Sequence, residues 1–146
     1  MQESREYPLR PVVGVGGVVI QQGRALLVLR GRAPLQGQWS IPGGGLELGE
    51  AVIEGIRREV KEETGIDVRV RDQVGVFERI LRDPSGRVQY HYVLIDHLCE
   101  VIGGTLRAGG DAADVAWASE SELDQYALTD TAARVIRDAF RLAKVL

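Results

Sequence analysis

Glu59, Glu62 and Glu63 carry the sequence's most demanding chemistry. In a helix, which the 50–64 pattern predicts, their side chains fall within an arc of about 100° on one side. Three carboxylates so placed repel one another, and two of them lie in the last turn, where the helix dipole disfavours anions. A hard divalent cation such as Mg²⁺ or Mn²⁺ resolves the conflict, because it gathers several oxygen ligands at one point. The ordinary alternative for an isolated EVKEE is a solvated acidic face balanced by Arg57, Arg58 and Lys61. The context favours the cation. Gly43-Gly44-Gly45 precedes the helix and leaves backbone groups bare enough to approach a metal or a phosphate. Trp39 and Pro42 are placed to fix the entry to that loop. Carboxylates beside a glycine loop suit a phosphorylated substrate whose charge the metal offsets while activating water.

The flanking elements must hold this group in place. Residues 12–20 and 24–30 are apolar, β-branched runs joined by Gln21-Gln22-Gly23, which predicts two strands and a tight turn. Residues 31–49 contain six of the eighteen glycines and two of the five prolines, the composition of a sharply bending loop. Val52, Ile53, Ile56 and Val60 recur at helical spacing, and Gly65 is placed to end the helix. Strand-like stretches follow at 66–71, 74–81 and 88–101, with Asp83-Pro84-Ser85-Gly86 as a hairpin turn between the last two. A short strand is expected at 115–119, then a short helix capped by Ser119 or Ser121. Residues 129–146 read as an amphipathic helix with Ala132, Val135, Ile136, Ala139, Phe140 and Leu142 on its apolar side. This order predicts an α/β (α+β) fold, a mixed sheet between helices.

The chain of 146 residues is 45% hydrophobic and 27% charged with a net charge of −3, which predicts one globular domain over 1–146. Residues 1–9 are expected to form a flexible N-terminal segment. A single cysteine, Cys99, excludes an internal disulfide or a multi-cysteine zinc site. The mildly acidic balance gives no footprint for a nucleic-acid polymer. The apolar run 11–20 is about half the ~20 residues that span a bilayer, so no membrane partner is expected. Glu3 and Glu6 spoil a signal-peptide reading of that run, and a reducing cytoplasmic location is the expectation.

Residues Gly44 to Ile66 resemble the Nudix hydrolase signature over all 23 positions: Gly44, five residues, Glu50, seven residues, then Arg58-Glu59-Val60-Lys61-Glu62-Glu63-Thr64-Gly65-Ile66. Trp39-Ser40-Ile41-Pro42-Gly43 is similar to the family's usual lead-in, and the order of elements resembles its α/β/α sandwich. The resemblance implies hydrolysis of a nucleoside diphosphate linked to another moiety, with water attacking phosphorus and one to three Mg²⁺ or Mn²⁺ ions. It implies Glu59, Glu62, Glu63 and the Gly43 carbonyl as metal ligands. Arg58 is the implied orienting arginine, and Glu50 the supporting carboxylate. Family members differ in their general base, some using a signature glutamate and others a later loop. In this chain that loop contains Asp111 and Asp114, which are candidates for a base or a further ligand. A homodimer is left open by the same resemblance.

For substrate contacts, Arg30 and Arg32 flank the strand end before the glycine loop and are candidates for holding terminal phosphates, with Gly44 and Gly45 approaching the same groups. Phe77, Tyr90, His91 and Tyr92 are candidates for base stacking, although period-two alternation sends some into the core. His91 and His97 lack metal-like spacing. The Arg82–Arg87 stretch (RDPSGR) resembles short ADP-ribose pyrophosphatase-like members, so the small-molecule substrate expected is ADP-ribose or a related nucleotide sugar. The alternatives are a (deoxy)nucleoside triphosphate or, from another class, nucleotide binding without turnover by a regulator.

Overall fold

A computed structural model describes residues 4–145. Strands β1 (Val12–Gln21) and β2 (Arg24–Arg30) form the expected antiparallel pair, with Ile20 opposite Ala25. Gln22 and Gly23 both take positive φ at the turn between them. The glycine-rich stretch is more ordered than a loop. It contains β3 (Trp39–Ser40), paired with β2, and β4 (Gly43–Gly45), paired with β1. Strands of two and three residues leave no periodic signal, and glycines argue against strand locally.

Helix α1 (Val52–Thr64) ends at Gly65, whose φ of 74° and N–H to Lys61 carbonyl bond make it the expected left-handed stop. The helix starts two residues later than expected, after an extended Ala51. The stretches 66–71 and 74–81 are one strand, β5 (Ile66–Arg82), broken in register between Val70 and Gly75. It pairs antiparallel with β6 (Val88–Gly104) across the Asp83–Arg87 turn. The two-strand expectation fails because a bulge interrupts the alternation without ending the ladder. Strand β7 (Ala112–Ser119) pairs with β2, a 3₁₀ helix follows at Glu120–Gln125, and α2 (Asp130–Val145) closes the chain. Ser119 is the cap, with its N–H bonded to the Glu122 carboxylate at 2.8 Å. Residue Leu146, the last position of the expected helix, lies outside the described residues.

The strands run β3-β2-β1-β6-β5, with β1 parallel to β6, β4 added to β1 and β7 to β2. Side-chain alternation divides the core. Val18, Ala25, Leu27, Phe77 and Leu98 face α2 through Val135, Ile136, Ala139 and Phe140. Val15, Val19, Leu26, Val68 and Cys99 face α1 through Ile56 and Val60. Full burial of each Val, Leu, Ile or Phe side chain among them contributes about 1.5–3 kcal/mol. Ile53 departs from the expected pattern: it is 51% exposed, so the buried face of α1 is narrower than its apolar periodicity predicts.

Within the segment 1–9, Glu6 and Tyr7 are bonded to the β5–β6 hairpin, while Leu9 is exposed. The Tyr7 N–H bonds the Gln89 carbonyl at 2.7 Å, the Gln89 side-chain amide bonds Glu6 at 2.7 Å, and the Tyr7 hydroxyl bonds Asp83 at 2.8 Å. Met1–Glu3, the rest of the segment expected to be flexible, lie outside the described residues. Among the described residues no helix is long and apolar enough to cross a membrane.

Candidate active site

The helix-facing side of the site is organised by Arg58. Its guanidinium forms a two-pronged bond to Glu50, Nε to Oε2 at 2.7 Å and Nη2 to Oε1 at 2.9 Å. Its Nη1 donates to Glu59 Oε1 at 2.8 Å and to Glu62 Oε2 at 3.4 Å, and Nη2 also reaches the Gly45 carbonyl at 3.1 Å. The bonds from Arg58 hold the Glu50 carboxyl down at about 2. Residue Gly55 makes room for this pair, since a Cβ there would lie 3.0 Å from Glu50 Oε1. Arg58 thus links the start of the helix, the glycine strand and two glutamates.

The glycines seat the other carboxylates. A Cβ at Gly44 would lie 2.6 Å from the Glu59 carboxylate, so Glu59 rests on bare backbone. Burial raises the Glu59 pKa, and Arg58 opposes that rise. Glu63 is only 7% exposed and accepts the Gly43 N–H at 2.8 Å. Burial pushes it up to about 8, against the pull of that hydrogen bond. Glu62 is exposed at its outer end. Among the described residues no three acidic, histidine or cysteine side chains converge at ligand spacing.

Glu63 and the Gly43–Gly45 strand border a cavity of about 530 Å³ that also receives Arg30, Arg32 and Asp111, whereas Arg58, Glu59 and Glu62 stand behind the glycine strand and do not line it. The loop before β7 reaches it by packing on the end of α1. The Arg107 and Gly109 N–H groups bond the Thr64 and Glu63 carbonyls, and the Gly31 N–H bonds the Asp111 carbonyl. Gly109 is required there, because a Cβ would stand 2.5 Å from the Glu62 carbonyl oxygen. Asp111 forms an exposed ion pair with Arg32 at 3.1 Å, whereas Asp114 accepts the Val115 N–H and does not line the cavity. Arg30 is drawn inward, its Nε bonded to the Pro34 carbonyl at 2.7 Å; desolvation lowers its pKa, opposed by Glu63.

Of the aromatic candidates, Tyr90 and Tyr92 line the cavity and stack on each other with ring centres 6.4 Å apart. Phe77 lies in the core beneath Arg134, and His91 and His97 do not line the cavity. Trp39 packs edge-on against Tyr126, and Pro42 is fully buried, fixing the entry to the glycine strand. Several lining residues escaped the sequence reading. Arg5 lies against the Gly45 Cα, and Arg79 bonds the Thr131 hydroxyl. Asp96 is 4% exposed on the cavity floor. Asp96 had a signal: residues 90, 92, 94, 96 and 98 share one face, and it is the only carboxylate on that face.

A strand-borne glycine loop, a carboxylate helix clamped by arginine and an adjoining cavity form the architecture of a phosphoanhydride hydrolase, and the chain matches the NUDIX domain model over residues 10–139. It belongs to the Nudix hydrolase family and is a pyrophosphohydrolase. It is 36% identical to an ADP-ribose pyrophosphatase of Methanocaldococcus jannaschii, over 97% of this chain and 79% of that one. A MutT-like protein of Streptomyces ambofaciens is also 36% identical, over 85% of this chain and 73% of that one. The crystal structure of a MutT Nudix hydrolase from Burkholderia pseudomallei superimposes with a TM-score of 0.77 at 29% identity, covering 88% of this chain and 98% of that one.

Proposed function

We propose that this pyrophosphohydrolase cleaves the diphosphate linkage of ADP-ribose or a related nucleotide sugar in a reaction that requires a divalent cation. The observation that carries the reading is the seating of Glu59 and Glu63 on Gly44 and Gly43, a glycine strand that lines a cavity shared with Glu63 and Arg30. Nudix hydrolases generally use divalent metal ions. The donor chemistry fits one: Glu59, Glu62 and Glu63 with the Gly43 carbonyl supply hard oxygens, and Glu63 is a buried carboxyl whose ionised form lacks a bonded cation among the described residues. Mg²⁺ or Mn²⁺ bound there, as one to three ions, would supply charge neutralisation and an acidified water.

The chain's own residues divide the remaining work. Arg58 holds Glu59 at a fixed angle while taking its own position from Glu50, so it is a positioning residue. Gly44 seats the Glu59 carboxylate and Gly45 the Arg5 guanidinium, so the bare glycine backbone brings both charged groups close to the phosphates. Arg30 and Arg32 neutralise the phosphates from the opposite wall. Asp111 stands at the rim as an acceptor for a proton from attacking water, with Arg32 fixing its carboxylate. The relatedness to an ADP-ribose pyrophosphatase across 97% of the chain supports the nucleotide-sugar reading. The relatedness to a MutT-like protein makes nucleoside triphosphates the competing substrates.

The test is product analysis after incubation with ADP-ribose, other nucleotide sugars and nucleoside triphosphates, with Mg²⁺, Mn²⁺ or chelator. AMP and ribose 5-phosphate from ADP-ribose, formed only with metal, is the expected result. Cleavage of triphosphates with no product from any nucleotide sugar would overturn the substrate assignment. Unchanged turnover in chelator would overturn the metal requirement.

A further inference from the structure

The floor of the cavity carries a carboxylate that the hydrolysis does not use. Asp96 lies in mid-strand on β6, and its register partners on both neighbouring strands are glycines, Gly16 on β1 and Gly75 on β5. A Cβ at Gly16 would lie 2.6 Å from Asp96 Oδ1, so only glycine leaves the carboxylate its present space. Among the described residues no hydrogen bond or ion pair reaches that carboxylate, although it is 4% exposed. Its charged neighbour is Arg79, which is pinned by the hydroxyls of Thr131 and Thr129. Burial pushes the Asp96 carboxyl up to about 7, with Arg79 pulling the other way. Among the described residues no fully buried side-chain polar atom lacks a partner, so the unbonded carboxylate is open to the cavity it lines, and its neighbours keep the space in front of it free.

The walls indicate what enters. Leu94, Ile41, Val28 and Val135 present apolar surface around the same floor. An acceptor beside a donor, between apolar walls, complements the edge of a flat heterocycle that carries an N–H next to a ring nitrogen or carbonyl. A ribose diol also offers hydrogen-bond donors, but it makes no use of apolar walls. We propose that Asp96 accepts a hydrogen bond from the base edge of the substrate's nucleotide half while Arg79 faces the adjacent acceptor, making the two the specificity-determining residues of the cavity. The inference rests on the reading of this cavity as a nucleotide site.

Binding titration by calorimetry tests it without requiring turnover. The ligands are AMP, GMP, CMP, UMP and ribose 5-phosphate, with wild type, Asp96→Asn and Asp96→Ala in Mg²⁺. Wild type is expected to bind at least one nucleoside monophosphate about tenfold or more tightly than ribose 5-phosphate. Asp96→Asn should weaken that nucleotide by about tenfold, and Asp96→Ala by at least as much, because a charged hydrogen bond is lost. Ribose 5-phosphate binding and the melting temperature should not fall. Equal losses for nucleotide and ribose 5-phosphate would place the contact on the sugar and overturn the proposal. Unchanged nucleotide affinity in both variants, or a wild type that prefers no base, would overturn it as well. Absence of product from ADP-ribose in wild type refutes the substrate assignment separately, since the titration reads binding alone.

Discussion

The two long helices cover opposite faces of one sheet yet carry unlike burdens. Every buried residue of α2, from Ala132 to Phe140, is apolar; the helix closes the core and adds to the cavity only the Thr131 hydroxyl and the apolar surface of Ala132 and Val135. Helix α1 buries Ile56 and Val60 in the same way, but its buried set also includes Gly55, Glu63 and Thr64. The Thr64 hydroxyl is satisfied by the Val60 carbonyl, and Glu63 by the Gly43 N–H. Stability is therefore concentrated beneath α2, whereas α1 holds ionisable groups whose burial opposes stability. Native proteins carry such local conflicts at functional sites and offset them elsewhere.

The largest expected separation of the two helices is in turnover. Glu59→Gln should lower kcat by about 10³-fold or more, on the order of 4 kcal/mol of barrier. Its melting temperature should match or exceed that of wild type; a variant that retains activity would remove Glu59 from the site. The converse substitution is Ile136→Ala, which leaves a void under α2 and should cost about 2–5 kcal/mol. At about 2–4 °C per kcal/mol the melting temperature falls accordingly, while kcat well below the transition stays within about twofold. Thermal scans paired with low-temperature assays check both.

A third separation comes from pH. Asp96 has a native carboxyl raised to about 7 by burial, so the native state holds its proton more tightly than the unfolded chain. Stability from this residue is full below pH ~4 and declines as pH rises towards 7. Asp96→Asn should therefore equal wild type near pH 4 and exceed it at pH 8, by about 2–4 kcal/mol. Urea titrations at both pH values check it, and a constant difference would refute the burial argument. A smaller effect should come from cation binding: metal at ten times its dissociation constant should stabilise by about 1.4 kcal/mol, and Glu63→Gln should reduce the rise in melting temperature. Least of all, Cys99 should be slow to react with a thiol reagent at pH 8, because burial pushes its pKa up to about 12; prompt labelling of the native protein would contradict its position under α1.

Legibility in the sequence followed the same division. The face of α2 was readable residue by residue, because burial alone sets it and burial has a period. The acidic cluster and Gly65 were readable because helix electrostatics and helix ends have local rules. Ile53 misled because the buried face of α1 runs through Gly55, Ile56, Val60, Glu63 and Thr64, a set that includes a glycine, a carboxylate and a hydroxyl that apolar spacing does not pick out. The short strands β3 and β4 were hidden, since their identity lies in pairing with distant strands. Asp96 and Arg79 were missed for a related reason. Arg79 is not unusual among its sequence neighbours, and the alternation that singles out Asp96 gains its meaning only from the register that aligns Gly16, Asp96 and Gly75.

The stretch before β1, held at Glu6 and Tyr7, carries the cavity beyond the signature segment. Arg5 and Glu6 form part of the cavity wall, and Arg5 lies flat against Gly45. Replacing either side chain would change the charge of that wall without touching a residue of the signature segment.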